Sequence, residues 1–376
     1  MFSHAHEQES IERIVVLRAL QLGDVLCAVP ALRALRSAYP RARISLIGLP
    51  WARQLVDHLP GYVDELIEFP GFPGIPEAPF DAGRLTAFVA DMQTRRFDLA
   101  IQLHGSGLTS NAFVELLGAR WTIGSYPPGD WTPDPATHVL YTGHGSEVER
   151  CLAPLRHAGI PVDGEVLEFT VTPGDRAELA SLPEVRAVVG GDYVCLHGGA
   201  RHALRRWAVE RFIEVGRALV ADGWPVVLTG TADEAAITDE IATALGGAAI
   251  DLAGRTSLGA LAALVDGSRL LVANDTGVAH LADALRTPSV IVFTHTDPER
   301  WAAADRSLHR VVASEVQLGG CRHEIGQAHR CLADACTLAE RSGVDPIVGD
   351  IPVESVLHEV DEVLGTTASR EPAHVA

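Results

Sequence analysis

No lysine occurs in the 376 residues, so all 30 basic side chains are arginine, and any site that needs a fixed cation must use Arg or His. Acidic residues number 49, which leaves a formal net charge of −19 and a surface field that repels phosphate backbones and anionic lipid. Nucleic acid is thereby disfavoured as a partner. An apolar run of about eighteen residues, the length a membrane helix needs, is absent. The start, MFSHAHEQESIER, lacks the charged-then-apolar profile of an export signal, which predicts a cytoplasmic protein. The six cysteines do not indicate a disulfide framework: Cys27, Cys151 and Cys195 stand in apolar or helical surroundings and read as reduced packing residues, while Cys321, Cys331 and Cys336 cluster in a loop-like region. With 47% hydrophobic and 21% charged residues, global disorder and collagen-like repeats are excluded as well.

What is present is alternation. Strand-like runs at 14–18, 43–47, 99–102, 193–196, 226–229, 270–273 and 289–293 are separated by helix-length segments, as in parallel sheets covered on both faces. The fold class is α/β, doubly wound, and the length suits two domains. The segment VTPGDRAELASLP begins a fresh unit, so the boundaries are set at 1–176, 177–352 and a terminal helix and flexible tail over 353–376. Residues 70–79 and 125–138 read as long loops.

Chemistry concentrates where strands end, which is where open α/β sheets place their ligands. The strand IVVLR runs into LGDVL, so Asp24 is either a helix N-cap beside a turn glycine, Gly23, or a general base. In the second half, His197, Gly198, Gly199 and Ala200 follow a strand and precede Arg201, Arg205 and Arg206. Small residues let backbone N–H groups approach an anion, and guanidinium groups add bidentate contacts. The string is a diphosphate site or a solvated Arg-rich turn; it is neither a Walker loop nor GxGxxG. Glu234 opens a helix and suits its dipole, or accepts from ribose hydroxyls. Most informative is NDTGVAHLADAL after a buried strand: Thr276 and Gly277 offer N–H groups at a helix start, Asp275 caps or binds a sugar hydroxyl, and His280 stands one turn on. Thr294 and Thr296 supply hydroxyls at the same edge.

In order, LGDVL, HGGA, RW, TGTADE, LAGRTSLGALAALV, NDTGVAHLADAL and TDPERW resemble glycosyltransferase family 9, the heptosyltransferases that extend the lipopolysaccharide inner core, over residues 14–301. The resemblance implies a GT-B fold, with two facing Rossmann-like domains, acceptor mainly in the first and nucleotide sugar mainly in the second. It also implies inversion at the anomeric carbon, no cofactor and no required metal. Carried over, Asp24 is the base, with Gly23 beside it, and Arg205 beside Trp207 stands where the family has a phosphate-binding Lys. Glu234 falls near the ribose contact, Asp275, Thr276, Gly277 and His280 complete the donor motif, and Thr256, Ser257 and Leu258 face the nucleoside base. Arg in place of Lys keeps the charge but presents a planar fork. ADP-heptose and a lipopolysaccharide-core glycolipid are the implied donor and acceptor; a cell-wall glycan or a small-molecule acceptor, and peripheral membrane contact, stay open.

Two other readings share this architecture: a non-hydrolysing nucleotide-sugar epimerase and a catalytically silent nucleotide-sugar-binding protein. A dinucleotide oxidoreductase is disfavoured by the absence of GxGxxG after either leading strand. Cys321, His323, His329, Cys331 and Cys336 offer four ligands to zinc, but their order matches no common zinc knuckle, so a reduced, packed loop is the alternative.

Overall fold

The computed structural model describes residues 10–188, 190–313 and 351–367. The zinc candidates Cys321, His323, His329, Cys331 and Cys336 therefore lie outside the described residues. Two compact units divide the chain, residues 10–168 forming the first and 169–313 with 351–367 the second. This puts the helix Pro173–Ser181, split by the boundary expected after residue 176, wholly in the second unit. Its Arg176 pairs with Asp266 at 2.7 Å, and its Glu178 accepts from Ser257 Oγ at 2.8 Å.

The first unit holds strands β1 (Arg13–Leu17), β2 (Arg43–Gly48), β3 (Glu65–Glu68), β4 (Leu99–Gln102), β5 (Trp121–Tyr126) and β6 (His138–Leu140). They form one sheet in the order β3-β2-β1-β4-β5-β6, every pairing parallel. The second unit repeats the plan with β7 (Val194–His197), β8 (Val226–Leu228), β9 (Ala249–Asp251), β10 (Leu270–Asn274), β11 (Ser289–Phe293) and β12 (His309–Ala313), ordered β9-β8-β7-β10-β11-β12. In both sheets the strand order reverses beside the first strand, between β1 and β4 and between β7 and β10. In each sheet taken by itself, the crevice beyond the carboxyl ends of the strands at that reversal is the ligand position of such folds.

Two-sided burial explains the unbroken apolar runs. In the second sheet Val194, Leu196, Leu270, Val272, Val290 and Val292 meet one apolar layer with Phe212 and Leu219, while Cys195, Leu271, Ala273, Ile291 and Phe293 meet the other with Leu264 and Ala282. The helix Val353–Thr367 sends Val356, Val360 and Val363 into the first of these layers. It is thus part of the second unit's core, beside the helix Val209–Ala221. Burying several such aliphatic side chains is worth roughly 1.5–3 kcal/mol each, ample to hold the helix there.

Local departures from the expected elements have local causes. The loop read over 125–138 is shorter, because β5 runs to Tyr126 and β6 opens at His138. Asp24 is not an N-cap: Gln21 holds that position, and both Gly23 and Asp24 lie inside the helix Leu22–Cys27, Asp24 in its first turn. No helix among the described residues is long and apolar enough to cross a membrane.

Candidate active site

At the switch point of the first sheet, Asp24 stands in the first helical turn after β1 with its side chain 23% exposed. Directly under it is Arg18, the residue after β1, which is 1% exposed. Arg18 Nε donates to the Asp24 main-chain carbonyl at 2.9 Å, and Nη1 donates to the Leu103 carbonyl beyond β4. Nη2 donates to Glu147 Oε1 at 2.9 Å and lies 3.6 Å from Asp24 Oδ1. Burial opposes the Arg18 charge, but the neighbouring Cys151, Glu147 and Asp24 outweigh it and raise the guanidinium above its ordinary pKa. Glu147, itself buried, opens the helix Glu147–His157, whose capping box of Ser146 and Glu149 fixes its first turn. Burial pushes the adjacent Cys27 thiol well up, so it remains protonated and inert.

The second switch point carries most of the predicted donor residues. β7 ends at His197, whose Nδ1 shares a 3.0 Å hydrogen bond with Thr229 Oγ1 and whose Nε2 is 3.9 Å from Glu234 Oε2. Burial lowers the His197 pKa, with Glu234 pulling the other way. Gly198 and Gly199 follow, and the reason for glycine at 199 is close approach: a Cβ there would come within 2.3 Å of Glu234 Cδ. Glu234 is held by the Thr231 N–H at 2.8 Å and Thr231 Oγ1 at 3.1 Å, completing a capping box. Ala200 is buried, and its carbonyl accepts from Arg206 Nε at 2.7 Å.

Asn274 closes β10 and joins the two loops. Its Nδ2 donates to the Gly198 carbonyl at 2.8 Å and the Gly199 carbonyl at 3.3 Å, and its Oδ1 accepts from the Trp207 N–H at 2.9 Å. Asp275 is buried but does not cap the next helix. Its Oδ2 accepts from Thr296 Oγ1 at 2.5 Å and lies 3.7 Å from Arg205 Nη1. Thr276 is the N-cap of the helix Gly277–Leu285, and its Oγ1 is buried with no hydrogen-bond partner among the described residues. Its N–H and that of Gly277 belong to the group that an intrahelical bond leaves over, at the positive end of the helix dipole. His280, one turn on, packs edge to face on Trp301 with centroids 6.0 Å apart, and the Arg205 guanidinium lies 5.8 Å from the same ring. Thr294 Oγ1 donates to the Leu204 carbonyl at 2.7 Å, tethering the arginine loop.

His197, Gly198, Gly199, Ala200, Arg205, Glu234, Asp275, Thr276, Gly277 and His280 are thus gathered around the carboxyl ends of β7 and β10. Thr256, Ser257 and Leu258 stand past β9, where Ser257 caps the helix Leu258–Asp266 by accepting the Ala260 N–H at 3.1 Å. Chemically, the cluster offers an anion helix N-terminus, hydroxyls and one partly exposed guanidinium flanked by an indole. Arg18, Glu147 and the bridging role of Asn274 escaped sequence reasoning. The one signal for Arg18 was a charge closing an otherwise apolar strand; Glu147 lies 129 positions from it and gave none. Among the described residues no group of three or more His, Cys, Asp or Glu side chains is placed to hold a metal ion.

A model of glycosyltransferase family 9 (heptosyltransferase) matches residues 85–329. Lipopolysaccharide heptosyltransferase 3 of Escherichia coli K12 is 28% identical over 321 residues, 83% of this chain and 91% of that protein. Lipopolysaccharide heptosyltransferase 2 of the same strain is 24% identical over 308 residues, 76% of this chain and 84% of that protein. A family 9 glycosyltransferase from Veillonella parvula superposes with a TM-score of 0.72 at 19% identity, covering 95% of this chain and 98% of its own. ADP-heptose lipopolysaccharide heptosyltransferase II of E. coli superposes with a TM-score of 0.61 at 21% identity, covering 88% and 99%.

Proposed function

The chain belongs to glycosyltransferase family 9, and from that premise we propose that it moves a heptose from ADP-heptose to a hydroxyl of a lipopolysaccharide-core acceptor, with inversion. The observation that carries the reading is the cluster at the second switch point. Arg205, the Thr276 and Gly277 N–H groups and the Thr276 hydroxyl, buried without a partner among the described residues, surround a position suited to a nucleoside diphosphate. Relatives at 24–28% identity bear lipopolysaccharide heptosyltransferase names, which supports the sugar and acceptor class.

In this reading Asp24 takes the proton of the acceptor hydroxyl as its oxygen attacks the anomeric carbon, and the bond to the donor phosphate breaks. The departing diphosphate gathers negative charge, which Arg205 and the helix N–H groups meet, so the transfer needs no divalent ion. Glu234 and Asp275 accept from sugar hydroxyls, and residues 256–258 lie against the base. A cytoplasmic location follows from the donor class, since nucleotide sugars are made there.

The test is release of ADP from ADP-heptose in the presence of a core oligosaccharide acceptor, with EDTA. Asp24→Asn is expected to lower kcat by about 10²–10⁴-fold while calorimetric ADP affinity stays unchanged. Full turnover by that variant removes the base assignment, and a rate that collapses with EDTA removes the metal-free one.

A further inference from the structure

Arg18 heads the fully buried side chains by size, and a guanidinium taken from water at such depth must be paired. One carboxylate is enough for neutrality, and Glu147, at 5% side-chain exposure and 2.9 Å, already supplies it. Arg18 nevertheless spends its Nε on Asp24, and on the main chain rather than the carboxylate. The carboxylate itself stands back at 3.6 Å, beyond a direct hydrogen bond. The backbone is held tightly and the acid group loosely, which is the combination a base requires: fixed in place, yet not so strongly ion-paired that it refuses a proton. Nη1 meanwhile ties the same guanidinium to Leu103, past the end of β4.

We propose that Arg18 is the positioning residue for Asp24, and that Glu147 tunes it by occupying the guanidinium edge that would otherwise close on the Asp24 carboxylate. The proposal rests on the reading of Asp24 as the base. The charged and titratable groups facing this cluster are Arg18 after β1, Cys27 on the helix of Asp24, and Glu147 and Cys151 on the helix Glu147–His157. Arg150 and Tyr141 line the adjoining hollow with Gln102, Ser125 and Gly105. Arg18, 3.6 Å from the Asp24 carboxylate and paired with Glu147 at 2.9 Å, is the charge whose hold on Asp24 these groups adjust. Removing Glu147's charge frees Nη2 for Asp24, which makes the base weaker; removing the Arg18 charge does the reverse and loosens the turn.

Three variants of the full chain test this in the ADP-release assay with ADP-heptose and core oligosaccharide, followed against pH. Glu147→Gln is expected to move the acidic limb of kcat to lower pH. Arg18→Lys, which keeps a cation but loses the fork, is expected to lower kcat on the order of 10²-fold through misplacement with calorimetric ADP affinity unchanged. Arg18→Met with Glu147→Gln removes both buried charges together, guards against misfolding, and is expected to move the limb to higher pH. Limbs that stay where they are in both Gln-bearing proteins overturn the proposal, as does a rate loss in Arg18→Lys matched by an equal loss of ADP affinity, because a purely structural role gives those results. Asp24→Asn separates the two levels: if it transfers at the wild-type rate, the base reading itself fails, whereas an inactive Asp24→Asn beside fully active Arg18→Lys rejects only the role of Arg18.

Discussion

Asn274 Oδ1 accepts the main-chain N–H of Trp207 at 2.9 Å, although 67 positions separate the two residues. The same amide donates to the carbonyls after β7, so a single side chain with no solvent exposure fixes both the glycine loop and the arginine loop of the candidate donor site. Asn274→Ala leaves the Trp207 N–H and the Gly198 carbonyl buried without partners, which costs about 1–3 kcal/mol for each orphaned group. A drop of that order in urea-unfolding free energy is expected, together with weaker calorimetric binding of ADP. A variant that loses neither shows that the loops are held by other contacts.

Gly199 and Glu234 make a second testable pair. A methyl group at 199 meets the Glu234 carboxyl at 2.3–2.7 Å, and that carboxyl cannot swing away without giving up both Thr231 bonds. Gly199→Ala should therefore destabilise the protein by about 1–3 kcal/mol. In the double variant with Glu234→Ala the clash is gone, so the two losses should fall short of additivity by at least ~0.5 kcal/mol. Strict additivity across the four proteins of the cycle places the strain elsewhere.

For Arg205 the expected effect is on the ligand rather than the fold. Its guanidinium is 29% exposed, sits 3.7 Å from Asp275 and is stacked near Trp301, so its removal disturbs little packing. A charge-assisted hydrogen bond to phosphate is worth about 1.5–3 kcal/mol, so Arg205→Ala should weaken ADP by roughly 10–100-fold with a nearly unchanged melting temperature. Arg205→Lys should recover part of that, because a point charge reaches the phosphate without the fork. Undiminished ADP affinity in Arg205→Ala moves the phosphate site to other residues.

The legible parts of the sequence were those in which one local pattern suffices. Apolar runs such as LLVAN, buried on both sheet faces, gave the central strands, and the turn chemistry of NDTG gave the helix start at Gly277. Edge strands were hidden for the converse reason. β9 (Ala249–Asp251) is only three residues long and half-buried, and β6 (His138–Leu140) carries a polar residue first and an exposed Leu140 last, so neither has the apolar run that marks a strand. Asp24 was found by its position after β1, but its place inside the helix was not, because a six-residue helix with a Gln N-cap shows no capping signature. Arg18 with Glu147, and Asn274 with Trp207, are pairings across long stretches of chain. No spacing rule reaches over such distances without the sheet order in hand.

Acid sensitivity follows from two histidines buried as neutral rings. His138, beside Thr137 Oγ1 at 3.0 Å, has its pKa lowered by burial from 6.5 to about 4. His309, beside Ser289 Oγ at 2.8 Å, is lowered by burial to about 4 as well. An unfolded chain binds protons at these rings near pH 6.5 and the folded one only near pH 4, so unfolding takes up protons in between, and stability falls as the pH drops through that window. With 1.36 kcal/mol per unit, each ring sets an upper bound of roughly 3 kcal/mol. Asp283, 3.5 Å from His309 Nε2, works against this, since burial raises its pKa and favours the folded state as the pH falls toward the ordinary carboxyl range. Among the described residues the acid acting on His138 is Asp134 rather than one raised by burial, so His138 gives the cleaner test. The urea midpoint of the wild-type protein should decline between pH 7 and pH 4.5, and His138→Gln, which stays neutral throughout, should flatten part of that decline. An identical slope in the variant shows that the His138 ring keeps its solvent-like titration in the folded protein.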